Sequence, residues 1–217
     1  MLSSSKKVFF ADYVFHVCES VYEPAEDSFL FAENLTVEKH EVVLDIGTGC
    51  GILGVIAADK ASRVVAVDIN PYAVRCAKEN AKVNGVWEKM LFIQGDLLAP
   101  IRMEEKLDRI LFNAPYLPSK PLKNGSWLER AWAGGATGRQ VIDRFIRQAP
   151  EYVNETGCIL LMQSTLSGVD QTLRRFQESG LRTCIIAKRT LPFFEAIVLI
   201  KAERSISHSN DFVTWRV

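Results

Sequence analysis

The chain has 217 residues, 48% hydrophobic and 24% charged, an ordinary globular composition with length for one α/β domain. Lysine plus arginine and aspartate plus glutamate both number 26, so the net charge is zero. That balance offers no general attraction to a polyanion and argues against a dedicated nucleic-acid binder.

Near the start, Lys6 and Lys7 precede Val8-Phe9-Phe10, but Asp12 and His16 interrupt the apolar run. Neither a signal peptide nor a membrane span is expected, and the protein is read as cytoplasmic. Val14-Phe15-His16-Val17 reads as a short strand. In Tyr22-Glu23-Pro24-Ala25-Glu26-Asp27-Ser28-Phe29, Pro24 suits the first turn of a helix. Glu26 and Asp27 favour its positive end, and Ala25, Phe29 and Ala32 form one apolar face.

Val42-Val43-Leu44 is a buried-strand pattern that runs into Asp45-Ile46-Gly47-Thr48-Gly49-Cys50-Gly51. Ile52, Val55 and Ile56 then mark a helix face. Three glycines at alternate positions between strand and helix allow positive φ and close approach of a ligand to the backbone. Free N–H groups and the positive helix end are expected to face that ligand. A structural turn is the competing reading.

Residues 63–67 form a second buried strand ending in Asp68. Asn70 as N-cap and Pro71 at the first helical position open a helix with Ala73, Ala77 and Ala81 inside, closed by Asn84-Gly85. Strands follow at 91–93 and 108–112, the first ending near Gly95-Asp96, the second at Asn113-Ala114-Pro115-Tyr116. The run Met90-Leu91-Phe92-Ile93 after Trp87 fits an exposed sheet edge and a buried central strand alike. Residues 119–137 read as a long functional loop, 138–149 as a helix, 158–162 as a strand and 169–178 as a helix. Strands at 183–187 and 196–200 lack a helix between them and should form an antiparallel hairpin. Residues 203–217 are a polar tail with no assigned structure. Alternating strands and helices imply a parallel, doubly wound sheet. Five scattered cysteines without a C-x-x-C pair fit buried free thiols in a reducing compartment, with no metal expected.

In such a sheet, ligands bind beyond the carboxyl ends of the strands. The glycine loop, Asp68, Asp96 and Asn113 all fall there. Asp68 can accept from two ribose hydroxyls and Asp96 from an adenine amino group, although either could instead be a turn cap. A dinucleotide fingerprint would be G-x-G-x-x-G, but residue 52 is Ile and the third glycine is Gly51. The observed D-x-G-x-G-x-G resembles class I S-adenosylmethionine-dependent methyltransferases. That resemblance implies a Rossmann-like, seven-stranded, mostly parallel sheet with an antiparallel last strand and helices on both faces.

Asn113-Ala114-Pro115-Tyr116 resembles the (Asn/Asp/Ser)-Pro-Pro-(Tyr/Phe) motif of methyltransferases acting on a planar nitrogen. The lone pair of an amide or exocyclic amine is delocalised. Two acceptors that grip its hydrogens turn that lone pair outward and stabilise the charge developing on nitrogen. The Asn113 side-chain oxygen and the carbonyl of Ala114 can serve, with Tyr116 packed over the flat group. Ala114 departs from the usual proline, which costs loop rigidity but leaves a backbone acceptor.

The segments at 22–28, 45–51 and 113–118, with Gly134-Gly135-Ala136-Thr137-Gly138, together resemble the HemK-related N5-glutamine methyltransferases over roughly residues 20 to 200. With about forty residues before the first core strand, the chain is similar to the single-domain archaeal and eukaryotic branch. The resemblance implies one domain over 1–217, with 1–40 covering the cofactor site, a core at 41–202 and the tail after it. It implies S-adenosylmethionine against Ser28, Asp45, Gly47, Thr48, Gly49, Asp68, Asp96, Leu97 and Asn113. It places the substrate glutamine against Asn113, Ala114, Pro115 and Tyr116. The substrate implied is the Gly-Gly-Gln glutamine of a class I translation release factor. A small zinc-binding activator subunit would dock by strand addition near the third strand. The alternative is adenine-N6 methylation of DNA or RNA, which presents the same kind of nitrogen but would require base flipping from a duplex. Small-molecule methylation and a catalytically silent binding subunit rank behind it.

Overall fold

The computed structural model describes residues 6–102, 104, 106–120, 125–192 and 195–204. A two-stranded antiparallel hairpin comes first: β1 (Lys6–Phe10) pairs with β2 (Tyr13–Val17), Val8 opposite Phe15. A strand was expected at Val14–Val17 but its partner was not, because lysines and an exposed Phe9 disguise β1 as a polar leader. Then follow α1 (Glu26–Glu33), β3 (Val42–Ile46), α2 (Ile52–Lys60), β4 (Arg63–Asp68), α3 (Pro71–Val83), β5 (Met90–Gln94) and β6 (Leu107–Asn113). A short α4 (Trp127–Arg130) lies in the region expected as loop, part of which, 121–124, falls outside the described residues. The chain continues with α5 (Gln140–Gln148), β7 (Val153–Ser164), α6 (Val169–Glu178), β8 (Leu181–Thr190) and β9 (Ala196–Arg204). Both last strands outrun their expected bounds. Glu203 and Arg204, assigned to the tail, belong to β9, and 205–217 fall outside the described residues.

The main sheet has seven strands in the order β5-β4-β3-β6-β7-β9-β8. Neighbours from β5 through β7 are parallel, while β9 lies between β7 and β8 and runs against both. The expected mostly parallel, seven-stranded sheet is thus observed. Its inner strands β3, β4, β6, β7 and β9 are largely apolar on both faces, as burial under two helical layers requires, while the edge strands β5 and β8 are partly exposed. One face buries Val43, Val64, Ala66, Leu111 and Leu160 with Leu30, Phe31, Leu53 and Ala57 of α1 and α2. The other buries Leu44, Ile46, Ile110, Phe112 and Leu161 with Ile142, Phe145 and Phe176 of α5 and α6. Adjacent residues of one strand thus serve opposite cores, the period-two geometry of a strand.

Side-chain amides hold the hairpin to α3. Asn84 exchanges hydrogen bonds with the N–H and carbonyl of Val14, and Asn80 does the same with His16. Two asparagines one helical turn apart thus act as a short strand against the edge of β2. Asn80 also donates to the Cys50 carbonyl, which ties hairpin, helix and glycine loop together. Asn70 caps α3 as expected, accepting from Tyr72 N, and donates to the Ser20 carbonyl. All five cysteines are free, but Cys184 is exposed and Cys18 half-buried, so only Cys50, Cys76 and Cys158 match the buried expectation.

Candidate functional site

The carboxyl ends of β3, β4, β5 and β6 open on one cavity of about 830 Å³. It is lined by Ser28, Gly47, Thr48, Gly49, Asp68, Asp96, Leu97, Asn113, Ala114, Pro115 and Tyr116, so the fold brings these candidates to one place. Asp45 is the exception. It is fully buried behind the glycine loop, where its Oδ2 accepts from Thr48 Oγ1 at 2.6 Å and Gly54 N at 3.0 Å. Burial pushes its pKa up to about 7 in spite of those two donors. Asp45 therefore shapes the loop from behind instead of lining the cavity. Gly54 is part of this contact, since a Cβ there would stand 2.8 Å from Asp45 Oδ2.

Gly47, Gly49 and Gly51 all have positive φ. A Cβ on Gly51 would strike Ala77 of α3 at 3.0 Å, whereas one on Gly49 would meet only the Gly47 carbonyl, at 3.9 Å. Gly51 thus serves close packing, while Gly49 leaves its side-chain volume to the cavity. Three of the N–H groups expected to be free are taken up within the protein. Thr48 N donates to the Val67 carbonyl, Gly49 N to Asp68 Oδ2 and Gly51 N to the Thr48 carbonyl. A loop that spends these three donors internally suits a ligand without pyrophosphate.

Asp68 is a turn cap that also lies on the cavity wall. Its carboxylate accepts from Gly49 N and Asn70 N. Burial raises its pKa, against the lowering effect of those N–H groups. Asp96 is half-exposed at the cavity wall and paired with Arg144 of α5, a cation that local reading did not place there. Leu97 beside it has φ +51°, a left-handed conformation costly for a branched side chain.

At the end of β6, Asn113 Nδ2 donates to Asp27 Oδ2 at 3.2 Å and to Ser28 Oγ at 3.3 Å. Tyr116 OH donates to the same Asp27 oxygen at 3.0 Å, and Tyr22 OH to Asp27 Oδ1 at 3.4 Å. The Asn113 Oδ1 is buried and has no hydrogen-bond partner. A buried acceptor left open in this way is uncommon and costly. Both tyrosine pKa values are raised, first by burial and then by the Asp27 charge, so each stays a neutral donor. Asp27 and Tyr22 were not recognised from sequence. A carboxylate in the first turn of a helix looks the same whether it faces solvent or the end of a distant strand. Pro24 likewise precedes α1 instead of opening it.

The glycine-rich segment backs the motif. Leu117 N donates to the Trp132 carbonyl and Gly134 N to the Leu117 carbonyl, so the chain beyond Tyr116 pairs with residues 132–134. Gly138, at φ +71°, lies so close that a Cβ would stand 2.2 Å from the Tyr116 carbonyl oxygen. Trp127, Arg130 and Trp132 line the cavity from this side, with the Arg130 guanidinium 5.3 Å from the Trp127 ring centroid.

Residues 27–114 match the family of ribosomal protein L11 methyltransferases. A Methanocaldococcus jannaschii protein provisionally named a protein N5-glutamine methyltransferase is 44% identical over 181 residues, 82% of this chain and 90% of that one. Methyltransferase HEMK2 of Homo sapiens is 33% identical over 173 residues, 75% of this chain and 80% of that one. Among solved structures, the E. cuniculi Mtq2–Trm112 complex, responsible for methylation of the eRF1 translation termination factor, superposes with a TM-score of 0.66 at 27% identity. The match covers 86% of this chain and 99% of that one.

Proposed function

The chain belongs to the protein N5-glutamine methyltransferase family, and on that premise we propose that it methylates a glutamine side-chain amide nitrogen in a class I translation release factor. S-adenosylmethionine is the methyl donor of this reading, supplying an electrophilic sulfonium methyl when bound. The cavity suits it. Gly49 leaves its side-chain space open, the Thr48, Gly49 and Gly51 N–H groups are already satisfied, and the Asp68 carboxylate at the end of β4 keeps lone pairs for hydroxyl donors. No helix among the described residues is long and apolar enough to cross a membrane.

One observation carries the reading: Asn113, a residue of the cavity wall, has a buried Oδ1 with no hydrogen-bond partner. A glutamine amide N–H is the kind of donor it lacks. With the Ala114 carbonyl gripping the second hydrogen, the amide nitrogen is held with its lone pair turned out of conjugation. The two acceptors also stabilise the positive charge that grows on nitrogen. Tyr116 packs beside the amide, and its hydroxyl stays on Asp27. The M. jannaschii relative is named for glutamine and the E. cuniculi enzyme for a protein target, which favours glutamine over an adenine amino group.

Asn113→Ala tests this. Single-turnover methyl transfer to purified release factor should slow by about a hundredfold, while cofactor affinity by calorimetry changes little. A wild-type rate would make residues 113–116 a structural turn.

The same reading gives the enzyme a small activator subunit of the Trm112 kind, as in the E. cuniculi complex. What supports it is the edge position of β5, with Leu91 53% exposed and Trp87 and Val83 also exposed. An open, apolar strand edge is a template for strand addition.

A further inference from the structure

We propose that Asp27 is a positioning residue that determines which end of the Asn113 amide faces the cavity. The inference rests on the reading of Asn113 as the acceptor for the substrate nitrogen.

The oxygen and the nitrogen of an asparagine amide are nearly equal in size, so packing alone does not choose between the two orientations. The choice decides the chemistry. With Oδ1 outward the cavity offers an acceptor. With Nδ2 outward it offers a second donor against the two hydrogens of the substrate amide, and the grip is lost.

Asp27 removes the ambiguity. An ionised carboxylate only accepts, so its Oδ2 holds Nδ2 of Asn113 and repels Oδ1. Ser28 Oγ accepts from the same Nδ2, so two protein acceptors, both residues of the cavity wall, use the two hydrogens of the NH₂ group. Asp27 is itself held from several sides. Its Oδ1 takes the Ser28 N–H at 2.6 Å, the Ser28 hydroxyl and Tyr22, while Oδ2 also takes Tyr116. It is 6% exposed and forms no ion pair among the described residues. Its charge rests on these donors and on the first turn of α1. A buried carboxylate without an ion pair is costly, and hydrogen-bond donors offset only part of that cost. What it supplies here is an acceptor-only group beside Asn113.

Asp27→Asn reverses the pattern at constant shape. The short bond from Ser28 N keeps an oxygen at the Oδ1 position, so the new NH₂ faces Asn113 and turns the Asn113 amide over. Turnover should then fall by about a hundredfold, as in Asn113→Ala, with the melting temperature and cofactor affinity kept. The double variant Asp27→Asn/Asn113→Ala should be no slower than Asn113→Ala alone. The decisive variant is Asp27→Asn/Asn113→Asp. There the carboxylate introduced at position 113 accepts from the new NH₂ with one oxygen and offers the other to the cavity, and at least a tenfold recovery over Asp27→Asn is expected.

A purely structural Asp27 predicts no such rescue, and its absence in a folded double variant overturns the proposal. If Asn113→Ala is slow but Asp27→Asn is not, positioning by Asp27 is wrong while the Asn113 reading stands. If Asn113→Ala keeps the wild-type rate, the Asn113 reading itself falls. Should Asp27→Asn not fold, NMR of the wild-type enzyme decides. The Asn113 side-chain NH₂ protons should be protected from exchange, and free exchange with water refutes the inference.

Discussion

Gly138→Ala isolates the buttress behind residues 113–116. The left-handed backbone at φ +71° costs an L-residue about 1–2 kcal/mol. The new Cβ would also lie 2.2 Å from the Tyr116 carbonyl oxygen and 3.0 Å from Ser167 Cβ. Neither neighbour is the far end of a flexible side chain, so the two segments must part by about 1 Å, an overpacking cost of about 1–3 kcal/mol. Gly180→Ala is the control. It has the same kind of backbone, φ +81°, but nothing within 4 Å of the added carbon. Both variants carry the strain, and only Gly138→Ala carries the collision. In a chain of this length 1 kcal/mol moves Tm by about 2–4 °C, so an extra 2 kcal/mol places Gly138→Ala about 4–8 °C below Gly180→Ala. The displaced motif should also slow single-turnover methyl transfer by about a hundredfold, since misplacement by about 1 Å is enough for that. Gly180→Ala should leave the rate alone. Equal melting temperatures and equal rates for the two variants would show that the glycine-rich segment does not hold the motif in place.

Two further outcomes follow from burial and from the open edge. Asp45 holds its proton to about pH 7 in the folded protein, against an ordinary value of 3.8. A raised pKa contributes stability that is full below about pH 4 and is lost as pH rises through about 7. Between about pH 5 and pH 8 the wild type should therefore lose about 2–3 kcal/mol relative to Asp45→Asn in urea unfolding. Parallel pH profiles for the two proteins would mean that Asp45 does not titrate in this range. Leu91→Glu, at an exposed edge position, should change stability by less than about 0.5 kcal/mol. It should weaken a Trm112-type subunit at least tenfold by calorimetry, and unchanged binding would remove β5 as the docking edge.

Much of this architecture is written locally. Asn70-Pro71 specifies the start of α3 through a cap and a fixed φ. Residues 42–44 and 64–67 show their burial on both faces as unbroken apolar runs. The short link before Ala196–Arg204 forces an antiparallel return. The glycine spacing and the Asn113–Tyr116 motif could be recognised because each is a chemical requirement met by contiguous residues.

What tertiary structure alone decided involves partners distant in sequence. Lys6–Phe10 became a strand because β2 and the amides of Asn80 and Asn84, some seventy residues on, pair the hairpin to α3. Asp27 is a first-turn carboxylate by local pattern, and it became the base beneath Asn113 only when β6 ended 86 residues later beside α1. Asp45 went behind the loop instead of into the cavity because Gly54 and Thr48 turned back to meet it. Met90–Gln94 is apolar enough for a core strand, but it lies at the edge because no later strand pairs beyond it among the described residues. Local chemistry specifies what each residue is able to do. Which of those capacities is used depends on what long-range packing brings within about 3 Å of the group, and no short stretch of sequence holds that information.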